Sequence, residues 1–181
     1  MRLFIALELP SDVCDAVVTL CTGLKDVRWV APRNMHLTLA FLGELDSVQA
    51  ADLHEALNTL RFDPFDLQLA GVDCFESRGK VRVLWTGVDG DRVALCHLQH
   101  KIMTALERAG LEPERRKFKP HVTLSYLNRF PKEKLLDYIC ENNRFKTDTF
   151  EISHFSLFQS HLTQHGAEYE VLERYGSIDK N

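Results

Sequence analysis

Apolar and polar positions along this chain fall into two rhythms, one of period two and one near period 3.6. Leu3 to Leu9 is an apolar run interrupted by Glu8, too brief for a membrane span or a signal-peptide core, and it predicts a first β-strand. Pro10, Ser11 and Asp12 supply a stop, an N-cap and a first-turn carboxylate. Val13, Val17, Leu20, Cys21 and Leu24 then recur at helical spacing, predicting a helix that ends near Gly23. Residues 27–30 and 35–42 read as strands, and Leu53, Ala56, Leu57 and Leu60 mark a second helix closed by Asp63-Pro64. Phe65, Leu67 and Leu69 alternate, and the turn-rich stretch 76–80 leads into Val81 to Trp85, so the pattern predicts a hairpin with a basic tip at Arg78, Lys80 and Arg82. A third helix spans about 91–109, with Gly110 placed as a C-cap. After an irregular basic segment to Pro120 come a strand over 121–127, a helix opened by Pro131 and running to Cys140, and closing strands over 149–158 and 168–172.

Helices interrupt the strands at intervals too short for a plain antiparallel sandwich, so the class is α+β, with helices packed on antiparallel or mixed sheets. The 181 residues suffice for one domain over 1–181 built of two small lobes sharing a core. A formal net charge of -4 excludes a protein that coats duplex nucleic acid, because such binding needs many phosphates neutralised at once. Any nucleic-acid substrate is therefore gripped locally. Five scattered cysteines without a C-x-x-C pair point neither to a disulfide framework nor to a zinc ribbon, and fit a reducing cytoplasm. No glycine-rich phosphate loop or nucleotide fingerprint is present in the sequence. No membrane association is expected, and a self-contained fold of this size is read as a monomer.

The chemistry lies in an internal echo. His36-Leu-Thr-Leu-Ala-Phe-Leu-Gly43 aligns without a gap to His121-Val-Thr-Leu-Ser-Tyr-Leu-Asn128, 85 residues later. On a strand, His36 and Thr38 share one face while Leu37 and Leu39 point into the core, and His121, Thr123, Val122 and Leu124 repeat that arrangement. If an approximate twofold axis relates the copies, two imidazoles and two hydroxyls meet in one cleft. Two histidines can divide protonation states near neutral pH, one accepting and one donating a proton, and hydroxyls can hydrogen-bond phosphate oxygens. Phosphoester hydrolysis uses all of these groups and formally needs no metal.

Paired H-x-T-x motifs resemble those of the 2H phosphoesterase superfamily. The segment Trp29-Val-Ala-Pro-Arg-Asn-Met-His-Leu-Thr-Leu-Ala-Phe-Leu-Gly43 is similar to its RNA 2',3'-cyclic phosphodiesterase (LigT-like) branch, also known as 2'-5' RNA ligase. Arg2-Leu-Phe-Ile-Ala-Leu, Phe118-Lys-Pro-His-Val-Thr-Leu and Phe155-Ser-Leu-Phe-Gln-Ser extend the resemblance over nearly the whole chain. It implies a bilobal α+β fold around a central cleft, no cofactor, and hydrolysis of a terminal 2',3'-cyclic phosphate to a 2'-phosphomonoester. By the same resemblance His36 protonates the departing 3'-oxygen, His121 activates water, Thr38 and Thr123 bind phosphate oxygens, and weak 2'-5' ligation is the reverse step. The family often carries Arg where this chain has Lys119 and Tyr126, which here removes a bidentate fork and a phosphate contact. Either Arg129 or a residue of the basic segment substitutes, or affinity is lower.

Arg115, Arg116, Lys117 and Lys119 precede His121 and are read as steering RNA phosphates toward the cleft. Phe41 and Tyr126, five residues beyond each His, are assigned by alternation to the catalytic faces; either is placed to stack on a base, with cleft-floor packing the favoured role for Phe41. Trp29 and Trp85 are read as core. His154, His161 and His165 invite a metal reading, but lack companion carboxylates or cysteines at closed-site spacing. Substrates compatible with the motif are RNA ends, tRNA halves among them, or small cyclic nucleotides. Two rival readings stand beside this one: a metal-dependent phosphohydrolase using the extra histidines, and a non-catalytic RNA-end-binding module on the same fold.

Overall fold

Eight strands pair antiparallel throughout, in the order β6-β3-β4-β5-β2-β1-β7-β8, in a computed structural model that describes residues 1–128, 130–164 and 166–176. The strands are β1 (Arg2–Glu8), β2 (His36–Glu44), β3 (Phe65–Ser77), β4 (Lys80–Gly90), β5 (His121–Tyr126), β6 (Phe150–Ile152), β7 (His154–Thr163) and β8 (Gly166–Gly176). Four helices accompany them: α1 (Ser11–Val18), α2 (Ser47–Asn58), α3 (Arg92–Arg108) and α4 (Lys132–Asn142). The predicted α+β class is the observed one.

The sheet is two halves of four strands. β1, β2, β7 and β8 form one and β3 to β6 the other, so the halves interleave in sequence and meet where β2 touches β5 at Leu37↔Val122. Ser153 alone separates β6, at one edge, from β7, second from the opposite edge, so the sheet must curl to bring those positions together.

Why one face is apolar follows from the period-two pattern. Leu37, Leu39, Val122 and Leu124 are buried in one cluster with Val13 and Val17 of α1, Leu53 and Leu57 of α2, Leu95 to Leu106 of α3, and Leu135 and Tyr138 of α4. All four helices therefore cover that face. The other carries a smaller cluster of Phe4, Ala6 and Phe158, backed by Tyr169 and Val171. β1 is buried on both faces from Leu3 to Leu7, which explains the apolar run between Arg2 and Glu8.

Three elements differ from expectation. α1 ends at Val18 rather than near Gly23, with Leu20 turning into the core through its N–H to the Val17 carbonyl. The single strand expected over 149–158 is broken at Ser153, because its two parts belong to opposite ends of the curled sheet. Residues 27–30 form no full strand: Trp29 bridges Ser125 and the Val30 N–H bonds the Leu124 carbonyl, a strap along β5 rather than a ladder. Among the described residues no helix is long and apolar enough to cross a membrane.

Candidate active site

The site is built from the one register pair at the sheet centre. With Leu37 opposite Val122 on antiparallel strands, His36 falls beside Thr123 and Thr38 beside His121. Directly opposed residues project to the same face with Cβ atoms roughly 5 Å apart. Since Leu37 and Val122 point into the core, both histidines and both threonines project to the face without helices. Each histidine is thus neighbour to the threonine of the other repeat.

Beyond this pair the strands part, and a loop overhangs each flank in pseudo-symmetric fashion. Residues 28–35 leave β5 through the Trp29–Ser125 bridge and a 3-10 turn at Pro32–Asn34, while the Glu114 N–H bonds the Phe41 carbonyl at 3.0 Å and straps residues 114–120 along β2. In each loop the residue two before the histidine turns its carbonyl onto the ring. His36 Nδ1 lies 2.7 Å from the Asn34 carbonyl, and His121 Nδ1 lies 2.7 Å from the Lys119 carbonyl. A carbonyl oxygen only accepts, so Nδ1 carries the proton in both rings and Nε2 is left to exchange protons with a substrate. Structural hydroxyls elsewhere are committed to acceptors, Thr86 to Gly71, Ser125 to Arg28 and Ser156 to Glu8. Among the described residues no protein group hydrogen-bonds the hydroxyl of Thr38 or Thr123.

The two rings have different surroundings. His36 lies among Phe4 (4.9 Å between centroids), Tyr169 (5.1 Å, edge-on) and Phe158 (5.8 Å). Burial there pushes its pKa down to about 4 against the opposing pull of the Asn34 carbonyl, and charge on His121 lowers it further. His121 lies against Phe75 (4.8 Å, edge-on) and Trp85 (5.9 Å), and Lys119 Nζ stands 4.6 Å over the same indole and 5.2 Å over the same phenyl ring. Burial lowers the pKa of His121 too, with the Lys119 carbonyl resisting and the Lys119 and Arg116 charges adding to the depression. The imidazoles sense each other's charge, so double protonation is disfavoured.

Two recesses repeat the symmetry. One of about 370 Å³ is lined by His36, Thr123, Tyr126, Tyr169, Arg28 and Arg33. Its counterpart of about 590 Å³ is lined by His121, Thr38, Phe41, Arg116, Lys117 and Lys119. A third, of about 580 Å³, joins them through His36, Phe41, Tyr126, Arg116 and Tyr169. Together they make one groove across the paired motifs.

Of the expected site residues, His36, Thr38, His121, Thr123, Phe41, Tyr126, Arg116, Lys117 and Lys119 all line this groove. Arg115 does not; its guanidinium pairs with Glu107 at 3.2 Å. Phe41 is 44% exposed rather than packed into a floor, and Tyr126 is 65% exposed. Strict alternation would have turned both to the wrong face, since an offset of five is odd. A register shift skips Leu39 against β1 and Leu124 against β4, and this bulge in each repeat returns the next aromatic to the site face. Trp85 is buried, as expected of core, but its ring also walls the His121 side, and Trp29 is only half-buried. The wall residues Phe4, Phe75, Phe158 and Tyr169 were not singled out from sequence, because an aromatic in a strand signals core first. His154 contacts Glu8 at 3.5 Å and His161 contacts Glu170 at 3.2 Å. Arg129 and His165 lie outside the described residues, and among those described no group of three or more His, Cys, Asp or Glu is clustered to hold a metal ion.

Comparison with known proteins accounts for both the fold and its internal symmetry. An Archaeoglobus fulgidus protein named RNA 2',3'-cyclic phosphodiesterase is 31% identical over 175 residues, covering 95% of this chain and 98% of its own. A crystal structure from Thermus thermophilus superposes with a TM-score of 0.78 at 27% identity over 100% of both chains. The E. coli LigT complexed with 3'-AMP does so with 0.78 at 25% identity over 98% of each. The model of the LigT-like phosphoesterases matches twice, over residues 7–85 and 91–169, one match for each His-x-Thr strand and its surroundings. With both halves matched and both motifs facing one groove, this chain belongs to the LigT-like phosphoesterase family.

Proposed function

We propose that this enzyme hydrolyses the 2',3'-cyclic phosphate at an RNA 3' end to a 2'-phosphomonoester, using His36 and His121 and no metal. The observation that carries the reading is the matched pair of Nδ1-to-carbonyl hydrogen bonds, which leaves both Nε2 atoms to serve a group held between Thr38 and Thr123. The substrate class rests on family relatives named RNA 2',3'-cyclic phosphodiesterase.

His121 is the base. Its positive neighbours Lys119 and Arg116 oppose protonation, which keeps its Nε2 lone pair available to take a proton from water. The water oxygen bonds to phosphorus, the P–O3' bond breaks in line with it, and His36 Nε2–H delivers its proton to O3'. No lysine or arginine is among the groups that perturb His36, so a bound phosphate anion is free to restore its charge at the moment it is needed. Thr38 and Thr123 hydroxyls donate to the non-bridging oxygens where negative charge grows. Solvent then returns the proton from His121 to His36. Replacing water by the 5'-hydroxyl of a second RNA opens the same ring to a 2'-5' linkage, which is the weak ligation.

The test is incubation of an oligonucleotide ending in a 2',3'-cyclic phosphate with the protein in EDTA, with the product identified by phosphorus NMR. The proposal expects a 2'-phosphomonoester at an undiminished rate. A 3'-phosphate, or turnover lost in EDTA and restored by a divalent cation, overturns it. Binding without turnover would establish an end-binding module instead.

A further inference from the structure

The groove is symmetric in backbone and asymmetric in charge. Its recess beside His36 holds Arg28 and Arg33 against Glu168, with Arg33 and Glu168 3.9 Å apart. The recess beside His121 gathers Arg92, Arg116, Lys117 and Lys119 against one carboxylate, Glu114, which Arg116 engages at 2.6 Å. Such a concentration of cations is unusual in a chain of formal net charge -4. Among the described residues Arg92 and Lys117 enter no ion pair, whereas Arg116 in the same recess takes Glu114.

Arg92 is the informative member. It is the first residue of α3, a 17-residue helix capped by Asp91, whose side chain accepts from the Ala94 N–H. A cation in the first turn opposes the helix dipole, whose positive end lies there. The Asp91 carboxylate is the acidic group at that end of the helix, and the first turn itself holds none. An unpaired cation held at an unfavourable helix position, facing a recess that already contains two ammonium groups, is expected where an anion completes the arrangement. The rings of Phe41 and Phe75 line the same recess, with Arg116 over the first and Lys119 over the second.

We propose that Arg92, with Lys117, forms a second phosphate subsite that grips a backbone phosphate further upstream in the strand, where the chain has curved past the terminal nucleotide to the His121 side. The enzyme then acts preferentially on oligonucleotide ends rather than on 2',3'-cyclic mononucleotides, which have no phosphate to place there. This rests on the cyclic-phosphate reading above.

The experiment compares kcat/KM for a short oligoribonucleotide ending in a 2',3'-cyclic phosphate with kcat/KM for the corresponding cyclic mononucleotide, in the parent, Arg92→Ala and Arg92→Lys. Removing one exposed phosphate contact should lower kcat/KM for the oligonucleotide about fivefold. The mononucleotide should be turned over by Arg92→Ala as by the parent, and Arg92→Lys should recover much of the oligonucleotide rate. The slope of log kcat/KM against log salt for the oligonucleotide should become shallower by about 0.7 in Arg92→Ala, one single-strand phosphate contact. Equal losses on both substrates, or no loss on either, overturn the subsite while leaving the catalytic reading intact. Failure of the parent to turn over either substrate defeats the catalytic reading itself.

Discussion

Burial of His36 makes a quantitative claim about its proton. Walled by Phe4, Phe158 and Tyr169, the imidazole is pushed from an ordinary value near 6.5 to about 4, a penalty of roughly 3 kcal/mol on the charged form at about 1.4 kcal/mol per pKa unit. At pH 7 only about one free molecule in a thousand then carries charge on His36. Tyr169→Ala removes the edge-on ring at 5.1 Å and opens that wall to water, so the midpoint should climb by about one unit or more toward 6.5. Saturating inorganic phosphate should raise it in the parent by pairing with the imidazolium. The assay is a histidine Cε1 NMR titration of the parent, Tyr169→Ala and the phosphate complex. Because the folded value lies below the unfolded one, neutral His36 contributes stability above pH 6.5 that is lost as pH falls toward 4, and urea midpoints should follow that window. A parent midpoint near 6.5, or one indifferent to both perturbations, would refute the reasoning.

Thr123→Val keeps the shape and deletes the hydroxyl beside His36; kcat should fall roughly tenfold to a hundredfold, with the folding midpoint nearly unchanged in a urea melt. Gly87, the strand partner of His121, approaches β3 so closely that a Cβ would stand 2.7 Å from the Ala70 carbonyl oxygen. Gly87→Ala should therefore cost about 1–3 kcal/mol in urea unfolding, as overpacking does. Glu8, hydrogen-bonded by Arg174 and Ser156, has its carboxyl held down at about 2, so its contribution is intact above pH 4.5 and vanishes as pH drops toward 2. Glu8→Gln should lose about 1–2 kcal/mol at pH 7, discounted for the solvent-exposed guanidinium, and should flatten acid unfolding across that interval.

What could be read from sequence was what one strand or helix decides locally. The His-x-Thr repeat declared its faces because Leu37, Leu39, Val122 and Leu124 had to be buried, and α3 declared itself through Leu95, Leu98, Ile102 and Leu106. Pairing across 85 residues is a tertiary choice, and no local preference states that Leu37 lies opposite Val122. The bulges at Leu39 and Leu124 are likewise set by neighbouring strands, so Phe41 and Tyr126 reached the right face for a reason alternation does not contain. Arg115 and Arg116 are adjacent and chemically alike, yet one turns to Glu107 and the other over Phe41, which only the course of the loop determines. Arg92 carried no signal, since a cation opening a helix resembles any solvated residue until the recess beside it is seen.

The claim on which the rest depends is that both imidazoles act on one phosphorus. Single-turnover rates on a cyclic-phosphate oligonucleotide for the parent, His36→Ala, His121→Ala and the double variant test it most directly. Acid and base acting in one transition state predict that each single change costs about 10²–10⁴ in rate and that the double change costs little more than either. Either single variant keeping more than a tenth of the parent rate would contradict the account.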